Sequence, residues 1–169
     1  MDPFLKTRKF LDLLIYRICS VILILMVLDV TWQVTSRYIL NNPASFTDEG
    51  ARFLMVWLGV LGGALLFGRN GHLAVTFVTD KLNQASQKTL NIIIYIVIAV
   101  FAIFAMIYGG YNLCIRTMLQ PSPAINIPMG YVYSIIPIGG FIILIYIVLN
   151  IVDILKGRSI TPQEDKAGE

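Results

Sequence analysis

The sequence predicts an all-α integral membrane protein with four transmembrane helices, both termini in the cytoplasm, and amphipathic helices lying in the inner membrane interface. Three observations carry this reading. Of the 169 residues, 57% are hydrophobic and only 14% are charged, against about 25% charged in soluble domains. The apolar residues form four continuous runs rather than an alternating pattern, which selects helices over a barrel. Ten of the thirteen lysines and arginines sit on one side of those runs, with only Arg37, Arg52 and Arg116 at the other helix ends.

A span needs about 20 mainly apolar residues to cross roughly 30 Å of hydrocarbon. The first run, 14–38, follows Lys6, Arg8, Lys9 and Arg17, as the core of a signal peptide would. Its apolar character continues to Leu40 and no Ala-x-Ala site follows, so it is expected to remain as helix one. The second span is placed at 49–67, with Thr47 as its N-cap and acids suited to its dipole in the first turn. The third, 90–119, is longer than crossing requires and is expected to tilt or protrude. The fourth, 128–155, carries Pro137 as a kink site.

Basic residues cluster before span one, between spans two and three (Arg69, Lys81, Lys88) and after span four (Lys156, Arg158, Lys166). The other two loops hold no Lys or Arg. By the positive-inside rule, this puts both termini in the cytoplasm. Segments 2–12 and 72–88 mix apolar and basic residues, as helices resting on anionic membrane lipid do. Residues 1–156 then form one membrane domain, and 157–169 form a polar tail.

Polar residues within or beside the spans are the candidates for function. Asp29, Gln33, Ser36 and Arg37 fall on one stripe of helix one. An acid at a helix centre costs about 2.5–3.5 kcal/mol on insertion scales, so Asp29 is expected to make a contact with a neighbouring helix. Arg37, Asp48, Glu49 and Arg52 form a charge-balanced cluster at the outer end, with Asp48 and Arg52 at i,i+4 spacing. Anchoring of the helix, or docking of a partner, suits this cluster better than catalysis, because no nucleophile accompanies it. Gly59-x-x-x-Gly63 gives helix two a face that another helix can approach closely. Trp57 lies too deep for an interfacial anchor and is expected to pack on protein.

Signatures of soluble catalysis are missing: no Walker motif, dinucleotide loop, HExxH or GxSxG is present. Cys19, Cys114 and the single His72 form no metal spacing. No catalytic residue, cofactor, metal or nucleic-acid partner is expected. Two competing readings are a small membrane-embedded enzyme and a self-assembling tetraspan channel or scaffold.

The stretch from helix one to His72 resembles the small membrane subunit (DctQ-like) of tripartite ATP-independent periplasmic (TRAP) transporters. The likeness rests on Glu49 and Arg52 leading helix two, Trp57-Leu58-Gly59 within it, and Arg69, Gly71, His72 and Leu73 at its cytoplasmic turn. "WQVTSRYIL" in helix one, with Arg37, also fits. By topology the resemblance covers nearly the whole chain; by motif it covers 32–75. It is nearest to sialic-acid systems, with C4-dicarboxylate and other organic-acid systems left open. The resemblance implies a hetero-oligomer in the bacterial inner membrane. A large elevator-type subunit would carry the sodium and substrate sites, and a periplasmic solute-binding protein would deliver the substrate. Asp29, Gln33, Trp57, Gly59 and Gly63 are then candidates for the large-subunit interface. Arg37, Asp48, Glu49 and Arg52 are candidates for docking the binding protein.

Overall fold

The computed structural model describes residues 3–42, 44–69 and 84–155. In chain order the helices are α1 (Pro3–Tyr38), α2 (Ser45–Gly68), α3 (Gln84–Phe101), a π-helical stretch (Ala102–Gly109), α4 (Gly110–Thr117), α5 (Met129–Tyr133) and α6 (Ile135–Leu155). Among the described residues, β structure is limited to one isolated bridge between Pro121 and Pro128. Four stretches are long and apolar enough to cross a membrane: Leu5–Tyr38, Ser45–Gly68, Thr89–Thr117 and Met129–Ile154. The four-span, all-helical fold expected from sequence is therefore the observed one.

The spans run up, down, up and down. The neighbours run α1, α2, fourth span, third span, so α1 and the third span form the two edges. One end of the bundle carries the start of α1 and the end of α6; it is called proximal here. The other end, distal, carries the 39–44 and 118–128 loops.

α1 buries a narrow seam. Ile15, Ile22 and Ser36 are buried, and Asp12, Cys19, Met26, Asp29 and Gln33 are half-buried between them. Their alternating three- and four-residue spacing is that of a coiled-coil seam. The seam reaches back past residue 14, through Asp12 to the half-buried Arg8. The segment 3–12, expected as an interfacial helix, continues into the span without a break. The second such segment, 72–88, lies outside the described residues as far as 83, and 84–88 open α3.

Leu61, Phe67, Tyr95, Ile135, Tyr146 and Ile147 form the centre of the core. Phe67 and Tyr95 meet edge to face with ring centroids 6.1 Å apart, a geometry favoured by the ring quadrupoles. α2 and α6 approach closely at Gly139, where a Cβ would overlap Val60 Cγ1.

The fourth span breaks one turn before Pro137, between α5 and α6, at Ser134. Proline lacks the N–H of the helical ladder and its ring crowds the carbonyl four residues back. The Pro137 ring fits here because Gly110 faces it: a Cβ there would lie 2.9 Å from Pro137 Cδ. Thr47 differs from its expected role as N-cap. The cap is Ala44, and the Thr47 hydroxyl donates back to the Ala44 carbonyl at 2.7 Å. The helix starts earlier than the apolar run because Ser45 and Phe46 already lie in it.

Candidate functional site

Polar side chains gather at the two ends of the bundle, and an unpacked face of α2 runs between them. At the distal end, the polar stripe of α1 meets the first turns of α2. Gln33 Nε2 donates to Asp48 Oδ1, and Arg37 Nη2 pairs with Asp48 Oδ2 at 3.3 Å. Asp29 turns toward the α2 backbone at Gly50, whose Cβ, if present, would sit 3.5 Å from Asp29 Oδ1. That is an ordinary van der Waals distance, so the carboxyl group lies in contact range of α2 at Gly50. Asp29, Gln33, Arg37 and Asp48 are thus joined in one α1–α2 seam.

Glu49 belongs elsewhere. Consecutive helix residues point about 100° apart, so Asp48 faces α1 while Glu49 faces the loop between the third and fourth spans. Glu49 is only 8% exposed. Its Oε2 accepts the backbone N–H groups of Ala124 and Ile125, both at 2.9 Å. Arg52 is exposed and forms no ion pair with any described residue. The i,i+4 contact with Asp48 is absent because Asp48 is held by Gln33 and Arg37 across the seam.

At the proximal end three spans are tied by side chains. Arg8 Nη1 pairs with Asp153 Oδ2 at 2.7 Å, and Arg8 Nη2 donates to the Gly68 carbonyl at 2.6 Å. The second bond satisfies one of the orphan carbonyls at the end of α2. The Tyr146 hydroxyl donates to Asp12 Oδ1 at 2.6 Å. Gly68 abuts the Tyr146 ring, where a Cβ would overlap it. None of Asp12, Tyr146 and Asp153 stands out in the sequence reading, and Arg8 figured there only as a flanking charge. The available signal was Arg8 and Asp12 at i,i+4, with Asp153 alone among apolar residues near the end of span four. Arg69, expected at the turn after α2, is its C-cap, and its N–H bonds to the Leu65 carbonyl at 3.0 Å. Gly71 and His72 lie outside the described residues.

Between the two ends, Arg52, Met55, Gly59, Gly63 and Leu66 are exposed at three- and four-residue spacing, forming one stripe of α2. Among the described residues, a Cβ built at Gly59, Gly62 or Gly63 would meet nothing within 4 Å. Trp57 sits on the opposite side of the helix, where its indole Nε1–H donates to the Val132 carbonyl at 3.0 Å. The tryptophan is packed inside the chain while the glycine face is left open. Among the described residues no three His, Cys, Asp or Glu side chains group as a metal site would need.

Comparison with known proteins accords with this arrangement. The family described as tripartite ATP-independent periplasmic transporters, DctQ component, matches residues 26–157, more than half of the chain. The chain is 30% identical over 110 residues to the sialic acid TRAP transporter small permease protein SiaQ of Vibrio cholerae. That alignment covers 65% of this chain and 63% of the relative, just under two thirds of its length. With the ectoine TRAP transporter small permease protein TeaB of Halomonas elongata, identity is 24% over 155 residues, 89% of this chain and 80% of that one. With the sialic acid TRAP transporter permease protein SiaT of Haemophilus influenzae, identity is 24% over 135 residues. Here 77% of this chain matches only 21% of a much longer protein. Four membrane-spanning helices and a family match across most of their length agree: this chain belongs to the DctQ component family of the tripartite ATP-independent periplasmic transporters.

Proposed function

We propose that the chain is the small permease subunit of a TRAP transporter, a fixed scaffold in the bacterial inner membrane with cytoplasmic termini. In this reading it supports a large elevator-type subunit that imports sialic acid or a related organic acid with sodium, and it carries out no chemical step. Its distal charges, Arg37, Asp48 and Arg52, face the periplasm, where a solute-binding protein arrives. The observation that carries the reading is the open stripe of α2. Gly59 and Gly63 leave room for another helix at membrane depth, and no described residue of the chain fills it. Small residues are what transmembrane helices use for close approach, since lipid supplies no hydrophobic drive between helices. The SiaT alignment supports an association of small and large parts, because a segment like this chain makes up about a fifth of that longer permease. Asp29 and Gln33 contribute by holding α1 against α2, and Trp57 by holding α2 against the fourth span, so that the glycine face is presented on a rigid helix pair.

Two measurements test this. Sodium-driven uptake into vesicles containing the large subunit and its binding protein is expected to require this chain. Equal uptake without it removes the scaffold role, and turnover by the chain alone favours a membrane enzyme. Gly59→Leu combined with Gly63→Leu is expected to weaken co-purification with the large subunit on the order of tenfold, as overpacking of about 1–3 kcal/mol would. The variant's own thermal stability is expected to stay at the wild-type value, because both added side chains enter open space. Undiminished co-purification rejects the face.

A further inference from the structure

We infer that Glu49 is a positioning residue for the distal face: its carboxylate holds the 118–128 loop in the shape that the soluble solute-binding partner engages. The inference rests on the transporter reading above and deepens it. Helix–helix connections usually take about 2–8 residues. This one takes eleven, from the end of α4 at Thr117 to the start of α5 at Met129, and its backbone is closed on itself. The Met129 N–H bonds to the Gln120 carbonyl and the Ser122 N–H to the Ile127 carbonyl, both at 2.9 Å. Asn126 adopts the left-handed conformation at φ 59° and donates its N–H to the Ser122 carbonyl at 3.1 Å.

Glu49 supplies the contact from outside the loop. Ala124 and Ile125 send their N–H groups to a single oxygen, Oε2, of a side chain more than 70 residues away in sequence. Charge-assisted bonds of this kind are about twice as strong as neutral ones, and this carboxylate is nearly buried. The backbone of the loop is therefore fixed, with Ser122 buried and Ala124 and Ile125 half-buried beneath it, while four of its apolar side chains stay on the outside. Leu119 is 93% exposed and Ile127 40% exposed, and Pro121 and Pro123 are also exposed. Because Glu49 belongs to α2, the clamp sets this neutral, partly apolar loop beside the exposed Arg37–Asp48 pair and Arg52. An apolar centre edged by charges is the anatomy of a protein-docking patch. Fixing such a patch before contact lowers the ordering cost of binding. The loop lies beyond the ends of the spans it joins, where a soluble partner reaches it.

The test uses the assembled transporter with the soluble binding protein of the same system. Hydrogen exchange over 118–128 and the half-saturating concentration of that protein are measured for wild type, Glu49→Ala and Glu49→Gln. Glu49→Ala is expected to speed exchange in the loop and raise the half-saturating concentration about tenfold, with the large subunit still bound. Glu49→Gln is expected to stay near wild type, because one amide oxygen can take the place of Oε2 and accept both N–H groups. Equal impairment by Glu49→Gln overturns the inference, since the partner would then be reading the charge itself. A freed loop with unchanged half-saturation, or with loss of the large subunit instead, also overturns it. Wild-type uptake that ignores the soluble protein defeats the underlying reading and this inference together. Wild-type dependence without an effect of Glu49→Ala defeats this inference alone.

Discussion

Gly68→Ala is expected to lower the thermal midpoint of the detergent-purified protein by several degrees, whereas Gly59→Ala leaves it in place. Both glycines lie on α2, one at its end and one mid-span. They differ in what surrounds them. A methyl group at Gly68 would overlap the Tyr146 ring, while one at Gly59 meets no described atom within 4 Å. The ring has little room to retreat: Tyr146 is fully buried, and its hydroxyl is held by Asp12. Overpacking a filled site costs about 1–3 kcal/mol. The shift would also disturb the Arg8 bond to the Gly68 carbonyl. Size-exclusion chromatography after a heating series reads the difference, and coincident midpoints for the two variants would disprove the packing at Gly68.

The second large effect concerns the Arg8–Asp153 pair. Asp153→Leu leaves a half-buried guanidinium without its carboxylate, and Arg8→Met leaves the carboxylate without its guanidinium. Breaking one partner of a fully buried pair costs about 3–5 kcal/mol. The two side chains here are 20% and 15% exposed, so water screens part of that cost, and about 2–3 kcal/mol is expected for each single change. The double variant is expected to lie closer to wild type than either single one, because no unpaired charge remains. It does not return fully, since Arg8 also caps the end of α2 through the Gly68 carbonyl. Additive losses in a thermal or denaturant series would show that the two residues do not interact.

The spans were legible because the bilayer imposes a length on every apolar run. The run 90–119 corresponds to Thr89–Thr117, and 128–155 to Met129–Ile154. Helix ends were less legible, since hydropathy marks the hydrocarbon slab and not the helix that passes through it. The turns of α1 from Pro3 onward are polar enough to read as a separate arm. The π-helical stretch left no mark in "AIFAMIYG", which reads as ordinary apolar helix. At the distal end the sequence shows four charges close together. Whether neighbours such as Asp48 and Glu49 act together depends on which face each occupies, and on a loop 75 residues away. The Asp12–Tyr146 bond joins residues 134 apart, and no local period records such a pairing.

Helix α1 is stapled at two levels, by Arg8 to Asp153 and by Arg37 to Asp48. At about 1.5 Å per residue the two arginines are roughly 43 Å apart along the axis. A bilayer measures about 40–45 Å between the outer limits of its headgroup layers. The two staples are therefore spaced to match the two headgroup layers of a bilayer. In a thinner bilayer α1 can tilt only by carrying its neighbours with it. In a thicker one the exposed distal staple is the first to be drawn into hydrocarbon. Tied to its neighbours at both ends, α1 cannot change its tilt or depth alone.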